Sequence, residues 1–173
     1  FSKGDCERIG IDICRTKPDV VYALVDRIIA GANGRESDGA YLYRSDNKGE
    51  TWRLVEGNDK IKGMYPGYGW VFGQVRVDPN DANTVYIMGV PISVSTDGGK
   101  TFTTIRGVPG GDHHALWIDP ENSNYLLNGF DQGVADKLRG HTAVPIEALL
   151  EGKDHQHAVD QFLDLLDAAG PPS

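Results

Sequence analysis

The densest cluster of ionisable side chains in the sequence lies in the segment GGDHH, which contains Asp112, His113 and His114. Aspartate and histidine are the side-chain types that act as general acids and bases, and Asp131 in the later segment GFDQG could supply a second carboxylate. Two neighbouring histidines on an extended strand point to opposite sides, so only one can face a given pocket. We assign Asp112, Asp131 and His114 to a catalytic role; turn capping by the aspartates and a histidine satisfied within the fold is the alternative.

A second group of residues suits the binding of a ligand. The segment YPGYGW places Tyr65, Tyr68 and Trp70 among glycines, a composition that favours an exposed aromatic platform. Sugar rings stack on such faces through their C–H groups, although packing at a junction between structural units would also use these side chains. We assign the three aromatics, together with His113 and Gln132, to ligand binding.

The sequence contains no motif for a cofactor or a metal ion. The phosphate-binding loop, the dinucleotide-binding glycine motif and the zinc-protease helix are all missing. His155 and His157 would diverge by about 200° on a helix, which argues against a metal between them. Cys6 and Cys14 are too few for a disulfide scaffold, and whether they form one bridge is open.

The bulk composition excludes two classes of partner. A net charge of −8 at pH 7 does not suit a protein whose main task is to bind the phosphate backbone of nucleic acids. No run of about eighteen apolar residues is present, so we expect no insertion into a membrane. The 173 residues are sufficient to bury a sizeable core.

The elements that position these residues recur along the chain. Each of three segments reads as a short apolar strand, a polar Pro/Asp/Asn turn and a second apolar strand. After the first two copies a third strand, a glycine-rich turn and a fourth strand follow. The pattern predicts two four-stranded units and a third unit that stops after two strands, with these starts: Ile11, Val75 and Leu116.

The turn before the fourth strand has a distinctive composition in both complete units. SVSTDGGKTF (93–102) and RSDNKGETW (44–52) place small polar residues and glycine before an aromatic. Glycine tolerates positive φ, and aspartate can accept hydrogen bonds from nearby backbone amides. We therefore predict a tight hairpin whose aromatic residue packs into the core, and a calcium loop would need more oxygen ligands at alternating positions.

These two segments resemble the Asp-box, S-x-D-x-G-x-T-W/F, of the bacterial-neuraminidase-repeat propellers. Residues 95–102 match the box fully, whereas the first copy carries Asn47 at the position of the aspartate. The stretches GWVFGQVRVDPNDANTVYIMG and GGDHHALWIDPENSNYLLNGFDQGV are similar to sortilin-like and glycosyl-hydrolase-like repeat proteins. The resemblance covers about residues 7–134 and implies an extracellular or periplasmic β-propeller protein.

The resemblance also implies where ligands bind. The Asp-box hairpins lie on one face of a propeller, and the opposite face, where the relatives bind ligands, would carry YPGYGW, GGDHH, GFDQG and a long loop at 28–39. Sialidases in this family need an arginine cluster, but the arginines here are scattered along the sequence at Arg27, Arg35, Arg76 and Arg106.

The predicted fold is mainly β: a partial β-propeller of two four-stranded antiparallel blades plus half of a third, with a C-terminal helical tail. We divide the chain into an incomplete propeller at 1–134 and a tail at 135–173. Residues 154–169 follow the spacing of an amphipathic helix, with apolar positions at Val159, Phe162, Leu163 and Leu166. Such a helix could cover the open edge of the propeller, and self-association into a homo-oligomer is the other solution.

Two functions from different classes follow from these observations. The first is a module that binds a carbohydrate or protein ligand through its aromatic and Asp/His loops, and it needs no cofactor. The alternative is a glycoside hydrolase that uses Asp112 and Asp131 as paired carboxylates, with a site that oligomerisation could complete. A third idea is an assembly protein that associates through its tail helix.

Overall fold

The chain forms three separate antiparallel β-sheets of four strands each. The computed structural model describes residues 5–32, 34–64, 69, 71–105, 111–131, 133–138 and 144–145. In every sheet the strands are hydrogen-bonded in chain order, so each sheet is a simple meander. This is the arrangement that the repeated strand and turn pattern predicts for one propeller blade after another.

The first sheet contains the longest strands. Its members are β1 (Asp5–Cys14), β2 (Lys17–Gly31), β3 (Gly34–Ser45) and β4 (Arg53–Leu54). Two short 3₁₀ helices, Asn58–Lys60 and Lys62–Met64, lead to the second sheet.

The second and third sheets are shorter. The second consists of β5 (Val75–Val77), β6 (Val85–Ile87), β7 (Ser93–Ser95) and β8 (Thr103–Thr104). The third consists of β9 (His113–Ile118), β10 (Tyr125–Phe130), β11 (Gly133–Leu138) and β12 (Val144–Pro145). None of the helices in the described part of the chain is long and apolar enough to cross a membrane.

The hydrophobic core is divided between the two junctions of neighbouring sheets. Alternate residues of β2 point to the second sheet, and the apolar side chains of β5 and β6 meet them there. A smaller cluster between the second and third sheets joins Tyr86, Met88 and Ile92 to Leu116 and Leu126. Because each strand uses one face for each neighbour, the sheets stack face to face as blades do.

The glycine-rich hairpin before β8 forms as the sequence predicts. Ser95 Oγ accepts the Gly99 N–H at 2.9 Å and donates to Asp97 Oδ1 at 2.8 Å. The same Asp97 oxygen accepts the N–H groups of Lys100 and Thr101, and Asp97 Oδ2 accepts the Thr101 hydroxyl at 2.6 Å. These hydrogen bonds satisfy polar backbone groups of the turn.

The equivalent hairpin before β4 uses an amide in place of the carboxylate. Asn47 Oδ1 accepts the Thr51 N–H at 2.9 Å, and Asn47 Nδ2 donates to the Thr51 hydroxyl at 3.0 Å. Ser45 Oγ accepts the Gly49 N–H at 2.8 Å, and Trp52 Nε1 donates to the Gly49 carbonyl. Asparagine therefore reproduces the turn that aspartate forms in the second sheet.

A buried polar network joins the first two sheets. Arg44 on β3 is 7% exposed, and its Nη1 donates to the Tyr22 hydroxyl and to Asn83 Oδ1, both at 2.9 Å. Asp46 neutralises the same guanidinium at 2.7 Å. The Tyr22 hydroxyl in turn donates to the carbonyl of Ala82. Every member of this network has a partner, so the charge can be buried without a large penalty.

The structure differs from the sequence predictions in two places. Segment 28–39, expected as a long loop, continues the antiparallel pairing of β2 with β3 almost to its tip. The third sheet does not stop after two strands, because β11 and β12 complete it. β11 crosses residue 134, and the division into 1–134 and 135–173 stays a prediction, as does the amphipathic helix at 154–169, which lies outside the described residues.

The two cysteines lie on one strand and are both free. Cys6 is exposed near the start of β1, whereas Cys14 is buried at its end. Eight residues of extended strand separate their Cα atoms by roughly 26 Å, far beyond the reach of a disulfide bond. A bridge within one chain is therefore excluded in this fold.

Candidate functional site

The candidate site lies on the side of the molecule opposite the two glycine-rich hairpins, 44–52 and 93–102. β9 begins there and β10 ends there, so the first residues of one strand lie beside the last residues of the other. Gly69 and Phe72, from the connection between the first two sheets, reach the same side. Two of the stretches singled out in the sequence, GGDHH and GFDQG, thus supply residues to one region.

The centre of this region is a histidine–aspartate pair. His114 Nε2 lies 2.9 Å from Asp131 Oδ1, and 35% of the histidine side chain and 51% of the aspartate side chain are exposed. The ring of Phe72 stacks under the imidazole, with centroids 5.3 Å apart and an interplanar angle of 11°. Phe72 is itself buried, so it fixes the orientation of the imidazole and leaves the polar edge to solvent.

His113 points to the other side of β9, as the alternation of a strand predicts. It is 2% exposed, its Nδ1 lies 2.9 Å from Asn128 Nδ2, and its ring meets Phe130 edge to face. Burial lowers the pKa of His113, which keeps the ring neutral near pH 7. The geometry gives His113 a packing environment in the core rather than a place at the surface.

Asp112 occupies a backbone conformation that is uncommon for residues other than glycine. Its φ of 55° lies in the left-handed region, just before the first residue of β9. The bend turns the chain into the strand, and Asp112 stays partly exposed beside the histidines. The structure thus brings Asp131 to His114, while Asp112 stands at the entrance to the strand that carries the pair.

A carboxylate that the sequence analysis missed lies in the first sheet. Asp26 on β2 is 1% exposed, and its Oδ1 accepts a hydrogen bond from the Ser37 hydroxyl at 2.6 Å. Its Oδ2 has no hydrogen-bond partner within the described residues. Burial raises the pKa of Asp26, despite the opposing effect of the Ser37 hydrogen bond. An acidic residue inside the apolar run VVYALVDRII was the sequence signal for it.

Gly69 and Phe72 relate Asp26 to the His114–Asp131 pair. Gly69 lies so close to Asp26 that a Cβ at this glycine would collide with the carboxylate. Phe72, three residues further on, is the residue that stacks under His114. Three residues span at most about 11 Å, so the buried carboxyl and the exposed pair belong to one side of the molecule.

Charged side chains surround the extended hairpin next to Asp26. Asp38 accepts a hydrogen bond from the Tyr41 hydroxyl at 2.6 Å and forms ion pairs with Arg27 and Lys62 at 3.0 and 3.1 Å. The Tyr41 hydroxyl, followed by the two cations, holds the pKa of Asp38 below its ordinary value. These contacts neutralise Asp38 and hold the hairpin against the 3₁₀ helices.

The remaining candidate residues lie outside the described part of the chain. These are Tyr65, Tyr68, Trp70 and Gln132, and their assignment to ligand binding stays a prediction. Within the described residues, no group of three or more histidine, cysteine, aspartate or glutamate side chains is arranged to hold a metal ion.

Comparison with curated proteins gives one distant relative. A xyloglucanase from Hypocrea jecorina is 30% identical over 121 residues, which correspond to 66% of this chain and 14% of the fungal protein. No protein-family model matches the chain. The chain therefore spans about one seventh of the length of the relative that it matches.

Solved structures with the same fold share little sequence with this chain. The GH74 enzyme from Niastella koreensis superimposes with a TM-score of 0.61 at 20% identity, covering 82% of this chain and 22% of the enzyme. The GH74 xyloglucanase from Xanthomonas campestris gives a TM-score of 0.62 at 14% identity, with 84% and 23% covered. YCF48 from Cyanidioschyzon merolae gives 0.52 at 18% identity, with 89% and 42% covered.

These likenesses show the fold. The three sheets are antiparallel blades of the β-propeller type, as the sequence resemblance implied. The solved chains are much longer than this one, which spans less than half of each of them.

Proposed function

We propose that this chain is the carbohydrate-binding part of a β-propeller protein, with a protein ligand as the alternative. The observation that carries the proposal is the exposed His114–Asp131 pair, whose imidazole is held in place by Phe72. Sugar hydroxyls need donors and acceptors at fixed positions, and this pair offers both. The likeness to a xyloglucanase supports a polysaccharide as the source of the ligand.

The aromatic residues of the same connection strengthen the proposal. Tyr65, Tyr68 and Trp70 precede Phe72 in sequence, and aromatic faces beside polar groups are the usual composition of a sugar site. Gln132 completes the proposed set of ligand-binding residues, whereas His113, which is 2% exposed, belongs to the core and is left out of it. An extracellular or periplasmic location is part of this proposal, because polymeric carbohydrates are encountered there, and cell fractionation would test it.

Calorimetric titration with oligosaccharides derived from xyloglucan tests the proposal. We expect His114→Ala and Asp131→Asn each to weaken binding about tenfold, the loss expected for one hydrogen bond to a charged or polar group. The matched control is Leu54→Ala, which removes an exposed side chain from the outer strand β4. Binding that is unchanged in both site variants, or equally weakened in the control, would contradict the proposal.

A glycoside hydrolase is the second candidate function. Asp26 favours it, because a buried carboxyl that stays neutral above its ordinary pKa is the kind of group that protonates a leaving oxygen. Asp112 or Asp131 would then activate the water, and His114 would orient Asp131. Release of reducing ends from xyloglucan, measured for the wild type and for D26N, D112N and D131N, distinguishes this candidate from simple binding. No release by the wild type at any pH would eliminate it.

A further inference from the structure

A small pocket lies where the first strands of the three sheets converge. It has a volume of about 170 Å³, and its lining includes Asp12 and Arg15 from the first sheet, Arg76 from β5 and Trp117 from β9. Arg15 belongs to the turn between β1 and β2, so the pocket lies toward the side of the glycine-rich hairpins. Trp117 is three residues beyond His114 on β9, about 10 Å along the strand.

Three of the lining residues occupy the same position in their sheets. The register pairs Asp12 with Tyr22, Arg76 with Tyr86 and Trp117 with Leu127, which places one residue of each inner strand at one level. In β5 and β9 the flanking positions are apolar and buried in the junctions between sheets. The residue between the two flanking positions does not take part in this packing. It is Asp12 in β1, Arg76 in β5 and Trp117 in β9.

The charges in the pocket favour an anion. Arg76 donates to the Val75 carbonyl and to Gln74 Oε1, and no ion pair between a carboxylate and either Arg15 or Arg76 is found in the described residues. Asp12 is already engaged: its Oδ2 accepts the Val77 N–H at 2.7 Å and its Oδ1 accepts the Ile13 N–H. Two unpaired guanidiniums against one satisfied carboxylate give a net positive site in a chain of net charge −8.

The indole adds an apolar surface beside these guanidiniums. Trp117 is 43% exposed, which is a large exposed area for tryptophan. Tyr125 holds it edge to face, with centroids 6.2 Å apart and an interplanar angle of 80°. One face of an aromatic ring fixed next to a cation matches a ligand that has both a ring with C–H groups and a negative charge.

We propose that this pocket binds the acidic sugar unit of a carbohydrate, with its carboxylate on Arg15 and Arg76 and its ring on Trp117. Guanidinium forks recognise carboxylates through paired hydrogen bonds, which supplies the charge specificity. The volume is well below the roughly 300–1,000 Å³ of sites for drug-sized ligands, so the pocket accepts one sugar unit. This inference rests on the proposed carbohydrate-binding function but uses a second site, on other residues.

Titrations of the full chain by NMR test the pocket directly. The probes are methyl β-glucuronoside, methyl β-glucoside, sodium acetate and a tetrapeptide with a free C-terminal carboxylate. We expect the glucuronoside to bind about tenfold or more tightly than the glucoside and the acetate, with shifts at the Trp117 indole N–H. Higher salt should weaken binding, because the charges are partly exposed.

Variants separate the parts of the pocket. Arg76→Gln should weaken glucuronoside binding about tenfold, Arg76→Lys should weaken it less, and Trp117→Ala should weaken both sugars while Trp117→Phe retains binding. Arg53→Gln removes a charge from the outer strand β4 and is the matched control. If a variant does not fold, the chemical-shift changes of the wild-type protein with the four probes still test the proposal.

Several outcomes would overturn the proposal. Equal affinity for glucoside and glucuronoside removes the charge recognition, and equal affinity for acetate reduces the pocket to a general anion site. Tighter binding of the peptide would assign the pocket to a protein terminus. Shifts at His114 without shifts at Trp117 would leave the proposed function standing and refute only this pocket. Shifts at Trp117 without shifts at His114 are the result expected for this pocket, and the first site is then tested separately by the xyloglucan titration.

Discussion

At the scale of single residues, the two glycine-rich hairpins allow aspartate and asparagine to be compared at equivalent positions of the same turn. Asp97 accepts four hydrogen bonds from Ser95, Lys100 and Thr101, whereas Asn47 holds the same turn without a charge. The Thr101 hydroxyl and N–H, with smaller contributions from Ser95 and Lys100, lower the pKa of Asp97 to about 2. Of these two equivalent positions, only Asp97 can therefore lose a charge in acid.

The stability of the chain should depend on Asp97 in acid. A carboxyl whose pKa is depressed in the folded state stabilises the fold above its unfolded pKa of about 3.9, and this contribution is lost as the pH falls to about 2. The shift corresponds to at most about 2.5 kcal/mol, which solvent screening reduces to roughly 1 kcal/mol. Urea unfolding from pH 5 to pH 2 should show a shallower loss for Asp97→Asn than for the wild type. An equal loss of unfolding free energy in the two proteins between pH 5 and pH 2 would refute the role of Asp97.

Asp26 should have the opposite dependence on pH. Burial raises its pKa, so folding favours the protonated form, and stability declines as the pH rises from about 4 through the folded-state pKa. Asp26→Asn keeps an acceptor for the Ser37 hydroxyl and cannot ionise. We expect urea unfolding to show that the stability of Asp26→Asn, relative to that of the wild type, improves as the pH rises from 4 to 7. Asp59→Asn, at an exposed position, is the control and should show no such trend.

The candidate site was only partly predictable from the sequence. GGDHH and GFDQG were recognised because ionisable residues cluster there, and the structure brings His114 and Asp131 from them into contact. Phe72 and Asp26 were missed, because a phenylalanine and a single acid within an apolar strand look like parts of the core. Their roles depend on which strand ends meet in space, and no local pattern encodes that.

At the scale of elements, the repeat was predictable, but its boundaries were not. The strands that follow Ile11, Val75 and Leu116 are present, because an alternating apolar pattern and a polar turn specify them locally. Segment 28–39 contains glycines and charges that suggest a loop, yet it pairs as strand. Ion pairs from Asp38 and the hydrogen bonds between strands β2 and β3 outweigh the weak local preference.

The junction between the first two sheets should depend on Arg44. Arg44→Ala removes hydrogen bonds to Tyr22 and Asn83 and leaves a space among buried groups, so we expect a loss of about 2–4 kcal/mol in the free energy of unfolding. Tryptophan fluorescence during urea unfolding measures it.

Arg53 provides the matched control for Arg44. It also pairs with Asp46, but half of its side chain is exposed, so Arg53→Ala should cost less than about 0.5 kcal/mol. Equal losses in Arg44→Ala and Arg53→Ala would mean that the buried network does not stabilise the junction.

At the scale of the whole molecule, the first sheet has one uncovered face. Ile11 occupies the same register position as Val75 and Leu116, which are 0% and 7% exposed because a neighbouring sheet covers them. Ile11 itself is 61% exposed, and Ile9 on the same face of β1 is 48% exposed. Within the described residues, no sheet covers this position of β1.

We expect a second copy of the chain to cover this face of β1. Burial of an isoleucine side chain contributes about 1.5–3 kcal/mol, so covering Ile9 and Ile11 of both copies would favour association. Light scattering after size exclusion should give a mass above that of the monomer, which falls on dilution. Replacing Ile9 and Ile11 by serine should give a monomer with nearly unchanged stability, because both side chains are largely exposed in the single chain. Leu54→Ser, at an exposed position on the outer strand, should leave the mass unchanged. A wild-type chain that is monomeric at every concentration would show that this face is tolerated in solvent without a second copy.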